Sequence, residues 1–372
     1  MLKVLITGSN GFIGKNLKEN LRLRTELELL LFDLPQTMED LRQLVLDADI
    51  VFHLAGVNRP TDQEDFKSGN IDLTRALLEM LEKDNRKTPL VMSSSTQAEL
   101  DNPYGRSKKE AEDLVFAYAN RSGAPVYVYR LPNVFGKWCR PNYNSVVATF
   151  CHNAANKISL RIDEPDKIIT LLYIDDVVEE FLLVIEGQRS TNAGATLSVS
   201  PTYDITVGDL AARIARFADS RRTLLMDSDM SDVFTQKLYA TFLSYSAVDD
   251  FAIKALMRHD ERGFFAELVK STCFGQISVS RTKPGVTRGN HWHNSKIEKF
   301  IVIEGRAVIR LRKVGTDEVL EYQVSGEELK VVDMPPGYTH SIQNIGDADV
   351  LTIFWANEIY DPDNPDTNFE KV

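Results

Sequence analysis

The chain of 372 residues is short of cysteine, short of positive charge and without a long apolar run. Its three cysteines, Cys139, Cys151 and Cys273, are too few and too scattered for a disulfide framework or a Cys-x-x-Cys metal site, which fits a reducing cytoplasm. Lys and Arg number 43 against 54 Asp and Glu, a formal charge of -11, so no basic surplus exists for nucleic-acid phosphates or an anionic membrane. No stretch approaches the ~20 consecutive apolar residues that span a bilayer, and the opening run from Leu2 to Thr7 is far shorter than the apolar core of a signal peptide. Internal repeats and low-complexity tracts are missing as well. What remains, 43% hydrophobic and 26% charged, is ordinary for folded soluble protein, and at ~150 residues per domain the length suits two or three domains. The expectation is a cytoplasmic enzyme or binding protein, with neither nucleic acid nor membrane among its partners.

The texture changes once along the chain. Up to about Phe217, short apolar runs (Val4 to Thr7, Leu27 to Phe32, Ile50 to Leu54, Leu90 to Met92, Val126 to Tyr129, Ile168 to Leu172) alternate with segments of helical period such as Phe12 to Leu23, Leu73 to Leu81, Lys108 to Ala119 and Asp175 to Ile185. That alternation predicts a doubly wound parallel sheet with helices on both faces. After Gly263 the runs are strand-like and divided by turns: Gln276 to Arg281, Lys299 to Ile303, Arg306 to Arg312, Val319 to Val324, Leu329 to Val332 and Val350 to Trp355. An all-β barrel or jelly roll is the expectation there. The domains read as 1–246 and 263–372, joined by a linker over 247–262. Ser220 to Tyr245 reads as helical and is left open between the two.

Three glycines, Gly8, Gly11 and Gly14, stand at three-residue spacing between the first strand and the first helix. Such glycines allow a tight turn, the approach of a pyrophosphate to the helix N-terminus, and close packing of helix on strand. Asp33 ends the second strand about twenty residues on, where a carboxylate accepts hydrogen bonds from an adenosine ribose. On charge it favours NAD over NADP. Further along, Tyr104-Gly-Arg-Ser-Lys108 opens a helix behind the serines Ser93, Ser94 and Ser95. Residues four apart share a helix face, so Lys108 is expected to lower the Tyr104 phenol towards working pH, while a serine hydrogen-bonds the same carbonyl oxygen during hydride transfer.

In these residues the first half resembles the extended short-chain dehydrogenase/reductase family, the nucleotide-sugar epimerases, dehydratases and reductases. Further matches are His53-Leu-Ala-Gly56, Arg130-Leu-Pro-Asn133-Val-Phe-Gly136 and Tyr173-Ile-Asp-Asp176. The resemblance implies an NAD(P)-binding Rossmann-type fold over about residues 1–185. It implies a cofactor held by Gly8, Gly11, Phe12, Ile13, Gly14, Asp33, Leu54, Ala55, Gly56, Tyr104 and Lys108. Ser95, Tyr104 and Lys108 become the catalytic set, with Ser94 the alternative serine, and Ser94, Arg130 and Asn133 face the substrate.

The second half carries His291-Trp-His293, then Glu298, then His340 in Pro335-Pro-Gly337-Tyr-Thr-His340. Strand residues two apart point the same way, so His291 and His293 can reach one ion, and His340 and Glu298 complete a set suited to Zn, Fe, Ni or Mn. The pattern resembles the cupin family, a jelly-roll barrel, with one departure: the leading glycine of its second motif falls at Leu329, with Gly326 nearby. One divalent metal is expected, Zn by preference because the chemistry proposed below is not oxidative. Tyr338, Lys299 or a metal-bound hydroxide are left open as the proton-abstracting group.

A 4-keto sugar has acidic protons at C3 and C5, and reducing the ketone destroys that acidity, so epimerisation must precede reduction. Over both halves the chain resembles the CapF-type family of bifunctional enzymes in bacterial capsule and O-antigen synthesis. That resemblance implies C3 epimerisation of a UDP-linked 4-keto-6-deoxy-N-acetylhexosamine by the cupin domain. C4 reduction to UDP-2-acetamido-2,6-dideoxy-L-talose would follow, on the route to UDP-N-acetyl-L-fucosamine. It also implies NADP(H), against which Asp33 sits awkwardly, so that NAD(H) stays open, and a homodimer. Two alternatives are kept: a single-activity 4-ketoreductase with a structural, dimerising metal cupin, and a non-catalytic NADP-sensing regulator.

Overall fold

The apolar residues of the first strands alternate between two destinations, which is what a sheet covered on both faces requires. In the computed structural model, which describes residues 1–59, 62, 64–84, 86–191, 194–226, 228–247 and 251–372, Leu5, Val51, Leu90 and Val128 join one buried cluster with Leu41, Leu77 and Val115 from helices. Val4, Ile6, Phe52, Val91 and Tyr129 join a second with Leu17 and Phe181. The chain divides into two compact units, residues 1–214 with 233–246 and residues 215–232 with 247–372.

The first unit carries strands β1 (Leu2–Thr7), β2 (Leu27–Phe32), β3 (Ile50–His53), β4 (Leu90–Ser95), β5 (Val126–Leu131), β6 (Asn133–Phe135), β7 (Ile168–Tyr173), β8 (Thr196–Leu197) and β9 (Thr202–Thr206). The main sheet runs in the order β2-β1-β3-β4-β5-β8 with parallel pairing throughout, and β6, β7 and β9 form a small second sheet. This is the Rossmann-type order expected from the sequence, with the chain reversing direction across the sheet after β2, the kind of switch point where dinucleotides bind. The helix Pro103–Ser122 starts on Asn102, whose Oδ1 accepts from the Gly105 N–H at 2.8 Å, and stops at Gly123 in the left-handed conformation.

The second unit carries β10 (Met257–Asp260), β11 (Gly263–Ser271), β12 (Gly275–Thr282), β13 (Thr287–Trp292), β14 (Glu298–Glu304), β15 (Arg306–Lys313), β16 (Val319–Ser325), β17 (Val331–Met334), β18 (Tyr338–Asn344), β19 (Val350–Ala356) and β20 (Asn368–Phe369). They form two antiparallel sheets, β10-β11-β12-β19-β14-β17 and β16-β15-β18-β13-β20. Phe300, Val302, Ile309, Leu311 and Ile342 pack between them, the inward halves of alternating strands. Two placements differ from the sequence reading. Residues 257–260, inside the span read as linker, are strand β10 paired to β11. Residues 215–219, read into the first domain, and 220–232, left open between the two, group with the second, where Met226 N–H donates to the Lys270 carbonyl at 2.7 Å and Lys270 N–H to that of Leu224 at 2.8 Å. Gly326 answers the question of the displaced glycine: its N–H donates to the Gly305 carbonyl, and a Cβ there would lie 2.6 Å from the Ile303 oxygen.

A register shift separates Gly289 from His291 on β13. Thr287, Arg288 and Gly289 lie opposite Gln343, Ile342 and Ser341, then Asn290, at φ +59°, is passed over and His291 lies opposite His340. It is a β-bulge, one residue inserted into one strand.

Candidate active site and metal centre

Gly8 and Gly14 are required by close approach. Gly8 has a positive φ of +69°, and a Cβ on it would stand 2.6 Å from the Ala55 nitrogen; one on Gly14 would fall inside contact distance of the Gly8 carbonyl oxygen. Gly11 caps the helix Phe12–Leu21 without a side chain, leaving its first N–H groups free for an anion. Asp33 closes the loop from the other side, its carboxylate accepting from Asn10 N–H at 2.7 Å and Leu34 N–H at 2.8 Å. Leu54, Ala55 and Gly56 follow β3 directly, so the expected cofactor residues of three segments meet at the ends of β1, β2 and β3.

The end of β4 is where Ser94 and Ser95 part ways. Ser94 is buried and donates to Glu112 Oε1 at 2.6 Å, whereas Ser95 accepts from Gln97 N–H at 3.1 Å and hydrogen-bonds the Tyr104 phenol. Burial pushes the Tyr104 phenol up, with the Ser95 bond acting the other way and Tyr143 adding to the rise. Lys108 is buried with its ammonium donating to the Ser93 carbonyl at 2.8 Å, and burial lowers it to about 8 against the attraction of Glu112. This corrects the expectation that Lys108 draws the phenol down: the ammonium is turned to the strand end, and burial governs both groups.

Arg130 and Asn133 are also placed by the structure. Arg130 Nε and Nη2 fork onto the two oxygens of Glu112 at 2.9 and 2.7 Å, and Nη1 reaches Glu99 at 2.7 Å, so each of its three nitrogens is bonded to the protein through one of its five N–H groups. Asn133 is exposed and donates to the Thr170 carbonyl at 3.2 Å. Three residues not singled out as functional complete the region. Asn70 ties the segment after Gly56 to the helix Pro103–Ser122, holding Val57 through both backbone groups and donating to Ser107 Oγ at 3.0 Å. His53 bridges Thr7 at 2.8 Å and Thr74 at 2.9 Å and is held neutral, lowered to about 3 by burial and by Lys108. Glu112, fully buried, had a signal in its place four residues after Lys108; Asn70 had none.

In the second unit His291, His293, Glu298 and His340 converge, with one ligand atom from each within 4.8 Å of all the others. Two imidazole rings come from β13 and its end and one from β18 in one sheet, and the carboxylate comes from β14 in the other, so the site bridges the two sheets. His293 and His340 Nε2 each lie 3.4 Å from Glu298 Oε2, and both nitrogens are buried without a hydrogen-bond partner. Their Nδ1 atoms are engaged instead, with the carbonyls of Asp366 and Tyr338. Donating Nδ1–H there leaves Nε2 with its lone pair aimed inward, the tautomer a metal ligand needs. Burial works against ionisation of Glu298, but the two imidazoles beside it outweigh that and hold its carboxyl well below the usual range. Orphaned inward nitrogens and an ionised carboxylate fit a divalent cation of the Zn type. Lys299 faces the other way on β14 and pairs with Asp333, while Tyr338 shares its strand face with His340.

Residues 4–200 match the NAD dependent epimerase/dehydratase family, and residues 258–368 match the polysaccharide biosynthesis C-terminal domain. The chain belongs to that epimerase/dehydratase family, joined to a polysaccharide biosynthesis domain, and a nicotinamide cofactor comes with the membership. More particularly, it is a close homologue of UDP-2-acetamido-2,6-beta-L-arabino-hexul-4-ose reductase of Pseudomonas aeruginosa, 45% identical over 366 residues that make up 98% of each chain. The crystal structure of the capsular polysaccharide assembling protein CapF from Staphylococcus aureus is similar at a TM-score of 0.92 and 44% identity, covering 99% of this chain and 100% of that one. The spore coat polysaccharide biosynthesis protein SpsL of Bacillus subtilis is 31% identical over 130 residues, 32% of this chain and 86% of its own. Among the described residues no helix is long and apolar enough to cross a membrane.

Proposed function

We propose that the protein is a bifunctional enzyme acting on a UDP-linked 4-keto-6-deoxy-N-acetylhexosamine, epimerising C3 in the second unit and then reducing the C4 ketone in the first. The product in this reading is UDP-2-acetamido-2,6-dideoxy-L-talose, made for capsule-type polysaccharide. The observation that carries it is the presence on one chain of two complete sites, Ser95 with Tyr104 and Lys108 behind the glycine turn, and the cluster of three histidines and one glutamate. In the first, Ser95 and Tyr104 hydrogen-bond the C4 oxygen, and Tyr104 gives it a proton as the carbon is reduced. Lys108 and the Gly8 to Gly14 turn hold the cofactor, which when bound supplies the hydride. In the second, His291, His293, Glu298 and His340 would hold a divalent ion, which when bound polarises the C4 carbonyl and so acidifies C3. Tyr338, on the His340 face of β18, is the proton carrier in this reading.

Hydride comes from NADPH in this reading, although Asp33 stands where a 2′-phosphate would be repelled, and kcat/KM with NADPH against NADH decides between them. The assembly proposed is a cytoplasmic homodimer, which sedimentation would check. The deciding experiment is NMR of the freshly made 4-keto sugar with the protein in D2O and no nicotinamide. Deuterium should enter at C3 faster than in a chelator-treated sample. If no enzyme-dependent exchange appears while reduction proceeds once NAD(P)H is added, the epimerase half of the proposal falls and the second unit is a structural module.

A further inference from the structure

The segment from Asp366 to Val372 runs beside the histidine cluster and contacts strand β13, the loop after it and strand β18. Strand β20 pairs with His291 and Trp292, the Thr339 hydroxyl donates to the Glu370 carbonyl beside His340, and Glu370 N–H donates to Asn290 at 3.0 Å. Asp366 is the point of closest engagement. Its backbone carbonyl accepts from His293 Nδ1, and its carboxylate gathers the loop that follows His293. Oδ1 accepts from Asn294 N–H at 2.8 Å and from the Asn294 side-chain amide at 2.9 Å. Oδ2 accepts from Ser295 N–H at 2.8 Å, from Lys296 N–H at 3.0 Å and from the Ser295 hydroxyl at 3.3 Å.

One residue therefore fixes a ligand at two points: the carbonyl sets ring orientation and tautomer, and the carboxylate, with three consecutive N–H groups on it, locks the backbone that carries the ring. A carboxylate saturated by backbone N–H donors is among the stronger protein hydrogen-bond arrangements. Nothing about cluster geometry requires a residue more than seventy positions along the chain to supply it. We infer that Asp366 is a positioning residue for the metal centre, acting through His293, and that the strength of metal binding depends on it. The inference rests on the reading of the histidine cluster as a metal site.

The test uses the full-length Asp366→Asn variant. An amide has one acceptor oxygen and a nitrogen that cannot accept, so the two-sided grip on residues 294–296 is broken with little change of shape. Zn2+ affinity, measured by competition with a chromophoric chelator, should fall by roughly 10–100-fold, the usual consequence of losing an outer-shell partner. Thermal unfolding with and without Zn2+ separates this from general weakening. A merely structural role lowers the melting of both forms alike, which is equivalent to unchanged affinity, and that result would overturn the inference; a positioning role lowers the Zn2+-loaded form further. Should the variant not fold, long-range 1H–15N spectra of the Zn2+-loaded wild type read the same contact, because His293 must be protonated at Nδ1 and not at Nε2. The reverse tautomer would sink the inference. If the wild type itself binds no Zn2+, it is the metal-site reading that fails.

Discussion

Replacing Arg130 by Met leaves Glu112 as a carboxylate with none of its side chain exposed, deprived of a two-pronged guanidinium. The Ser94 hydroxyl stays on it, and Lys109 at 3.9 Å is too long to substitute for the fork. Breaking a buried pair by removing one partner costs ~3–5 kcal/mol. Because the Arg130 side chain is 20% exposed, solvent screens part of its attraction for Glu112, and the low end, about 3 kcal/mol, applies here. For a unit of this size each kcal/mol is worth roughly 2–4 °C, so calorimetry should show the first unit melting about 6–12 °C lower. The double variant Arg130→Met with Glu112→Leu removes the stranded charge and should recover most of that loss. Steady-state kinetics on the same proteins separates the two roles considered for this residue. An Arg130→Met variant that melts with the wild type but shows a raised KM for the nucleotide sugar would refute the reasoning and return Arg130 to the substrate.

Other consequences are equally open to measurement. Gly14→Ala should abolish nicotinamide binding by calorimetric titration, since its Cβ collides with the Gly8 carbonyl, whereas Gly187→Ala, whose Cβ meets nothing within 4 Å, should keep it. Lys108 carries its charge only below about 8, so the rate of the proposed C4 reduction should decline as pH rises through that value, and a limb that stays put in Lys108→Arg would assign it to another group. The folded value lies below the ordinary 10.5, so the buried ammonium costs stability below about pH 8 and the cost fades as pH climbs to 10.5; Lys108→Met should outlast the wild type in urea at pH 7, by a margin that shrinks over that window. His53, lowered from 6.5 to about 3, works at the acid end: the unfolded chain takes up the proton first, so stability falls as pH drops from 6.5 towards 3, and His53→Gln should flatten that limb in urea midpoints.

The parts legible in the sequence are those where a local pattern has one structural solution. Apolar runs such as Val4 to Thr7 between helical stretches lead to a parallel sheet, and β1 to β5 stand where those runs are. The three histidines and Glu298 were readable because ligand chemistry and strand period name the same residues. What was not legible depends on partners distant in sequence. Arg130 was expected to face substrate, and spacing gave no sign that Glu112 and Glu99 would each bond its guanidinium. Lys108 and Tyr104 share a helix face, but spacing says nothing of the Ser93 carbonyl that takes the ammonium. Asp366 sits in a stretch with no periodicity, and its role exists only because the chain returns past His293.

The bulge at Asn290 has a consequence for how this centre is inherited. Up to Gly289, residue numbers on β13 and its partner strand sum to 630; from His291 onward they sum to 631, and only the second count sets His291 opposite His340 on the inner side of the sheet. A ladder without the bulge and with Asn290 still in place would set Asn290 opposite His340 and His291 opposite Thr339, turning His291 outward with His-x-His, the glutamate and the distant histidine all still spelled out in the chain. The centre is thus addressed by counting as much as by kind. A relative could keep every ligand letter and still lose the cluster to one substitution at Asn290 that tolerates its positive φ of +59° badly.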